Sequence, residues 1–307
     1  MVSIRLMTYN QESFIREAMD SILMQKIDFP VEIVVGDDFS EDNTLDIIRS
    51  YKNTKWIKIK ILERKKNDDY WISRQKYGRL YNYLDILRRC KGKYIALLDG
   101  DDYWIDPYKL KKQVSFLEEN KNYSITSHEV YISKFSNRNS FKSLISIFYY
   151  NIKLTGFKGF LNLVKTILLK TKNIWYLRAG YAQIARFNPY TFEQILQNKH
   201  FMATSSIMIQ RKIVDSIDNW FTGTDGGHYF IVLISLSLGN GYHFKDFMGF
   251  HRLHENSISQ DPKRLKLNKP FKLKNRLFRL DCLLKLTDSS MHDIINQQIE
   301  IEKIIRE

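Results

Sequence analysis

Residues 92–104 read GKYIALLDGDDYW. Within this stretch Tyr94–Leu98 is wholly apolar, and a strand apolar on both faces belongs in the middle of a parallel sheet covered by helices on each side. The run stops at Asp99-Gly100-Asp101-Asp102. Carboxylates this closely spaced repel one another, which disfavours ionisation unless a cation sits between them. A divalent ion with hard oxygen ligands resolves the repulsion, and Mg2+ or Mn2+ commonly bridges such carboxylates to a diphosphate. Gly100 allows a tight turn and a close approach of ligand to backbone. The plainer reading is a solvated loop whose aspartates cap the next helix, and Asp106-Pro107 does read as such an N-cap.

Upstream the same pattern repeats. Val2–Met7 is a short apolar run that ends in Thr8-Tyr9-Asn10, and Phe14, Ile15, Ala18, Met19, Ile22 and Leu23 then recur at helical spacing. Val31–Val35 reads as a strand that stops at Gly36-Asp37-Asp38. Ser40 and Asp42 can cap the following helix, which turns Leu45, Ile47 and Ile48 inward. Ile57–Leu62 reads as a third strand with Lys58 and Lys60 outward, and Tyr77–Arg89 as a helix. Strands alternating with helices at this spacing imply βαβ units, so the fold class is α/β with a mainly parallel sheet flanked by helices. Such a sheet binds its ligands beyond the C-terminal strand ends. Three of the four strands end there in polar clusters, so one crevice can gather Thr8-Tyr9-Asn10, Asp37-Asp38 and the Asp99–Asp102 loop.

The 307 residues are 44% hydrophobic, ample for a buried core, and carry a formal charge of +14. That excess suits a polyanionic partner: nucleic acid, an anionic membrane surface or a phosphorylated substrate. The basic residues follow no recognisable nucleic-acid motif and carboxylates crowd the predicted crevice, so no nucleic-acid partner is expected. Cys90 and Cys282 match no metal or redox spacing and read as ordinary thiols of a reducing compartment. No signal peptide and no window of ~18 uncharged apolar residues is visible. The expected location is therefore the cytoplasm, with peripheral contact at the inner face of the plasma membrane as one reading of the basic segments.

Those segments lie in the second half. From Val130 to Phe192 there is no Asp or Glu against ten Lys and Arg, and Phe141–Leu169 reads as basic amphipathic helices. The α/β pattern resumes with a strand at Ala203–Gln210 and a helix at Phe230–Leu238; a second basic run covers Lys263–Arg279, and Met291–Arg306 reads as a helix. The expected organisation is a catalytic domain at 1–260 with a helical insert at about 136–200, then a basic helical tail at 261–307. The insert reads either as a solvated face that approaches an acceptor or as a patch drawn to anionic lipid.

The sets MTYNQ at 7–11, GDDFSEDNT at 36–44 and GKYIALLDGDDYW at 92–104, in this order, resemble family 2 glycosyltransferases with the GT-A fold. The likeness is clear over residues 2–130 and returns more weakly at 201–260. It implies an enzyme that moves a sugar, with inversion, from a UDP-, dTDP- or GDP-linked donor to a hydroxyl of a glycan or lipid-linked acceptor. Surface polysaccharide synthesis is the implied setting, with Mn2+ or Mg2+ as cofactor. By the same likeness Thr8, Tyr9, Asn10, Asp37 and Asp38 meet the nucleoside. Asp99, Gly100, Asp101 and Asp102 serve metal and diphosphate, with either Asp101 or Asp102 as the main ligand. Arg79 and Asn82 match positions near the donor.

Inversion requires a base within hydrogen-bond reach of the acceptor hydroxyl. The matching region reads Gly223-Thr224-Asp225-Gly226-Gly227-His228-Tyr229. Asp225 fits after a short shift, while an ungapped count back from Asp246-Phe247-Met248 places His228 there. His251-Arg252-Leu253-His254 resembles the family's Tyr-Arg-x-His segment with histidine first. Arg252 would then face donor phosphate, and His254 would contact metal or phosphate. Two rivals are an inactive scaffold of the same fold and a nucleotidyltransferase. The latter calls for a phosphate-cradling loop near the N-terminus, which Leu6–Glu12 is not.

Overall fold

A computed structural model describes residues 1–135, 174–179, 187–198, 202–217, 227–254 and 269–304. Its first half is the expected βαβ series. Strands β1 (Val2–Thr8), β2 (Val31–Asp37), β3 (Ile57–Ile61) and β4 (Tyr94–Asp99) run parallel in the order β3-β2-β1-β4. Helices α1 (Ile15–Leu23) and α2 (Thr44–Ser50) make the first two crossovers. Alternation along β1 sorts its residues between two cores. Val2, Ile4 and Leu6 pack with Ile15, Ala18, Met19 and Ile22 of α1. Met7 faces the other layer with Val34, Ile95 and Leu97, beneath Leu80, Tyr83, Leu84 and Leu87.

The helix expected at Tyr77–Arg89 is instead two, α3 (Asp69–Tyr77) and α4 (Arg79–Arg89). Gly78 separates them at φ 74, a left-handed conformation that a side chain resists. No residue of α3 is fully buried, so it carries no apolar stripe for periodicity to detect. Ser40 is also not the cap of α2. Asp42 Oδ1 accepts the Thr44 amide at 3.0 Å, whereas Ser40 turns toward Asp37 and Asn10.

Beyond β4 lie β5 (Tyr103–Trp104), α5 (Lys109–Glu119), β6 (Tyr123–Phe135), β7 (Ile174–Ala179) and α6 (Phe192–Asn198). They are followed by β8 (Met208–Gln210), α7 (Gly227–Leu236), β9 (Asn240–Leu253), α8 (Lys269–Leu286) and α9 (Ser289–Ile304). The sheet of the described residues continues from β4 through β8, β6 and β9 to β5, and β7 pairs with β6. Here the parallel pattern mixes: β8 is antiparallel to β4 and β6, while β9 is parallel to β6. The strand expected at Ala203–Gln210 shrinks to three residues preceded by a 3-10 turn at Thr204–Ser206. Side chains explain the turn. Trp104 Nε1 and Gln113 Nε2 donate to the carbonyls of Ser205 and Ser206 at 2.8 and 3.0 Å, so these backbone groups need no strand partner.

The helices expected at Phe141–Leu169 lie outside the described residues. The described part of that insert contributes strand β7, antiparallel to β6, and helix α6. Leu280, Cys282 and Leu283 of α8 and Ile295 of α9 join the core beneath α4 and α7, so this end of the chain packs on the sheet. Among the described residues no helix is long and apolar enough to cross a membrane.

Candidate active site

The strand ends are level. Thr8 pairs with Asp37, and Met7 with Asp99, so three loops leave the sheet along one edge. The first two are interlocked. Thr8 Oγ1 donates to Asp37 Oδ2 at 2.8 Å, and Asp37 also accepts the Ser40 amide at 2.8 Å. Asn10, at φ 49, donates its amide to Ser40 Oγ and accepts the Glu41 amide on Oδ1. Asp37 is thus a buried organiser, while Tyr9 is 57% exposed. Asp38 is held in a bidentate pair by Arg74, with Nε and Nη2 at 2.8 and 2.7 Å from its oxygens. Phe39, at φ 65, stacks edge-on with Trp71 at 4.8 Å. The partners of this loop come from α3, the helix that periodicity missed.

Arg79 and Asn82 take different places. Asn82 is buried behind β2, donating Nδ2 to the Gly36 carbonyl and accepting Arg64 Nη1 on Oδ1. Arg64 also donates to the Asp37 carbonyl at 3.0 Å and pairs with Asp85 at 2.7 Å. Asn82 therefore supports the Asp37–Asp38 loop from beneath. Arg79 stands half-buried at the first position of α4.

In the acidic loop each aspartate has its own surroundings. Asp99 Oδ1 accepts Arg5 Nη1 at 2.7 Å. Burial, with Asp101 and Asp102 nearby, pushes the Asp99 carboxyl up, and Arg5 pulls it back down. A Cβ added to Gly100 would stand 2.3 Å from Gln11 Oε1 and 2.8 Å from Thr8 Cγ2, so this loop is pressed against the end of β1. Asp102 is 2% exposed and accepts the Arg252 amide at 2.9 Å and His251 Nδ1 at 3.1 Å. Burial alone would lower His251, but the carboxylate of Asp102 outweighs it and raises the imidazole to about 9. Asp101 Oδ2 stands 3.1 Å from His254 Nε2.

The end of β9 supplies these partners. The guanidinium of Arg252 is 5% exposed, donating to the Asp101 carbonyl at 2.7 Å and to Glu17 of α1. It lies 4.4 Å above the Tyr103 ring, and Phe14 stacks on His254 at 4.7 Å. Arg252 thus ties β9, α1 and the acidic loop together. Of the two residues expected as the base, Asp225 lies outside the described residues, and His228 stands half-buried in the first turn of α7.

Whether these residues suit a divalent cation turns on what each carboxylate already binds. Asp99 is ion-paired and Asp102 is spent on β9. Asp101 and His254 are an adjacent oxygen and nitrogen donor, with side chains 19% and 12% exposed. Among the described residues no three His, Cys, Asp or Glu side chains form a ready cage. Mg2+-type sites commonly take one or two protein groups and complete their shell with substrate phosphate and water. The pair fits that demand.

The profile described as glycosyl transferase family 2 matches residues 3–217. The chain belongs to glycosyl transferase family 2. An uncharacterized protein of Mycobacterium bovis is 37% identical over 129 residues, 42% of this chain and 35% of that protein. The putative glycosyltransferase EpsE of Bacillus subtilis is 34% identical over 124 residues, 40% of this chain and 41% of EpsE. The match therefore spans well under half the length of either relative. Among solved structures, Staphylococcus aureus TarS 1–349 in complex with UDP-GlcNAc superposes with a TM-score of 0.59 at 15% identity, covering 97% of this chain and 70% of that one. A mannosyltransferase of Pyrobaculum calidifontis in complex with GDP-Man and Mn2+ gives a TM-score of 0.52 at 14% identity, covering 97% and 68%. At such identities the likeness establishes the fold, and it is the GT-A fold of this glycosyl transferase family.

The motifs at the strand ends were legible because polar residues interrupt apolar runs there. Arg5, Arg64 and Arg74 were not. Each acts across a long sequence separation, and an isolated Arg carries no local signal of its partner.

Proposed function

We propose that this family 2 protein transfers a sugar from a nucleotide-activated donor to a hydroxyl acceptor, with inversion at the anomeric carbon. The observation that carries the reading is the shared edge of the sheet, where the buried Thr8–Asp37 pair, the Asp38–Arg74 pair and the Asp99–Asp102 loop stand side by side. The first two suit a nucleoside and the third a diphosphate. Asp101 and His254 would hold a divalent cation, which when bound supplies positive charge to the departing nucleoside diphosphate. Asp102, His251 and Arg252 keep that loop in place. The acceptor oxygen attacks the anomeric carbon as the bond to the diphosphate breaks, and its proton passes to Asp225 or His228 on the segment entering α7.

The curated relatives include a poly(ribitol-phosphate) beta-N-acetylglucosaminyltransferase of Staphylococcus aureus, 33% identical over 120 residues, which supports an acceptor in surface polysaccharide assembly. The complexes with UDP-GlcNAc, and with GDP-Man and Mn2+, support a sugar nucleotide and a divalent cation as ligands. The acidic-free basic stretch from Val130 to Phe192 suits an anionic acceptor or lipid surface near the site. The test is a thermal-shift panel of UDP, dTDP and GDP with Mn2+. A nucleotide present at 100 times its dissociation constant stabilises the native state by about 2.7 kcal/mol. Melting curves unmoved by all three would overturn the reading.

A further inference from the structure

Arg5 stands in the middle of β1, a strand otherwise filled by Val2, Ser3, Ile4, Leu6, Met7 and Thr8. It is fully buried, 0% exposed, between the sheet and α4, with its guanidinium 4.4 Å above the Tyr83 ring. A buried cation without a counter-ion costs several kcal/mol, so a strand core does not acquire one idly. Its counter-ion is Asp99, 94 positions away, reached through Nη1 at 2.7 Å. Nε and Nη2 find no hydrogen-bond partner among the described residues. The whole hydrogen-bonding use of this guanidinium is therefore one oxygen of one carboxylate at the rim of the crevice. The Asp99 side chain remains 26% exposed there, and among the described residues its hydrogen bonds engage only Oδ1.

We propose that Arg5 is a positioning residue for the donor. It neutralises Asp99 and fixes Oδ1, so that Oδ2 meets a hydroxyl of the sugar nucleotide as a rigid acceptor, while the cation is left to Asp101. This rests on the donor-site reading above and adds a division of labour to it. A carboxylate shared by all three aspartates would swing toward a bound cation; one tethered from below keeps its orientation and has little charge left to offer. Fixing a substrate-facing group within a fraction of an ångström matters because displacements of about 1 Å can cost about 100-fold in rate.

The test uses the full chain with Mn2+ and reads release of nucleoside diphosphate from UDP-GlcNAc and GDP-mannose, together with the Mn2+ concentration for half-maximal turnover. Arg5→Met is expected to lower kcat by about 10- to 100-fold while leaving the Mn2+ midpoint within about twofold. Arg5→Lys, which keeps the charge but not the planar fork, should recover part of the loss. In the Arg5→Met background, Asp99→Asn should cost far less than it does alone, since the two act as one unit. A merely structural Arg5 would lower melting temperature and leave kcat per folded molecule unchanged. The inference is overturned if folded Arg5→Met turns over at the wild-type rate, if the two losses multiply, or if Asp99→Asn shifts the Mn2+ midpoint by about tenfold. Should Arg5→Met not fold, Arg5→Lys decides: kcat reduced at an unmoved midpoint supports the inference, and wild-type kcat overturns it. A wild-type chain that answers to no nucleotide removes the donor site and this inference with it; a responsive wild type with indifferent variants removes only Arg5.

Discussion

Replacing Lys109 by methionine should make this protein more stable, by an amount that shrinks as pH rises. Lys109 opens α5 yet is 0% exposed, and its Nζ has no hydrogen-bond partner among the described residues. The ammonium lies 3.8 Å above the Trp104 ring of β5, with His128 of β6 close enough to feel its charge. Burial drives the amine well below its ordinary range. The unfolded chain then holds its proton to higher pH than the native one, so native stability rises with pH between the lowered native value and the ordinary lysine value of about 10.4. The slope is about 1.4 kcal/mol per pH unit for one proton. Methionine keeps the volume and the contact with Trp104 but has no charge to desolvate. At pH 7 Lys109→Met should gain roughly 1–3 kcal/mol, the cost of an unsatisfied buried polar group. Between pH 8 and pH 10 that gain should shrink, at a slope no steeper than about 1.4 kcal/mol per unit. Paired urea unfolding at pH 7, 8, 9 and 10 reads both quantities, and groups titrating alike in the two proteins cancel in the difference. A variant less stable than wild type at pH 7, or a difference flat with pH, would refute the reasoning.

Three further outcomes follow from the same geometry. Gly100→Ala places a methyl 2.8 Å from Thr8 Cγ2, which is anchored through Thr8 Oγ1 to Asp37. It should cost about 1–3 kcal/mol and weaken nucleoside diphosphate binding, and unchanged calorimetric affinity would count against the shared edge. Asp102→Asn should lower the melting temperature, losing charge-assisted bonds worth about 1.5–3 kcal/mol each, whereas Asp101→Asn should spare stability and weaken Mn2+ dependence. The reverse ranking would mean the two roles are misassigned. Burial raises the Cys90 thiol to about 12 from 9.0, so its contribution to stability is intact below pH 9 and lost as pH climbs toward 12. Cys282 is buried as well and its thiol is also raised. A thiol reagent at pH 8.5 should therefore react slowly with the native chain and fast with both cysteines in urea; prompt native labelling would contradict the packing.

The residues that announced the fold did so locally. Tyr94–Leu98 is apolar on both faces because β4 lies between β1 and β8 with helices on either side, and its carboxylates begin where the sheet ends. The same rule made Thr8, Asp37 and Asp38 visible, since a period of two that stops at polar residues is written in consecutive positions. Helix α3 left no such mark because it buries nothing, and the mixed half of the sheet left little because strands β6, β8 and β9 are joined by partners far apart in sequence. Within the acidic loop the sequence determined that three carboxylates would crowd one turn. Only the tertiary structure decided their fates: Asp99 to a buried arginine on the neighbouring strand, Asp102 to the returning end of β9, and Asp101 to His254. Carboxylates are alike in a string of letters, and what distinguishes them is which distant group folding brings within hydrogen-bond reach.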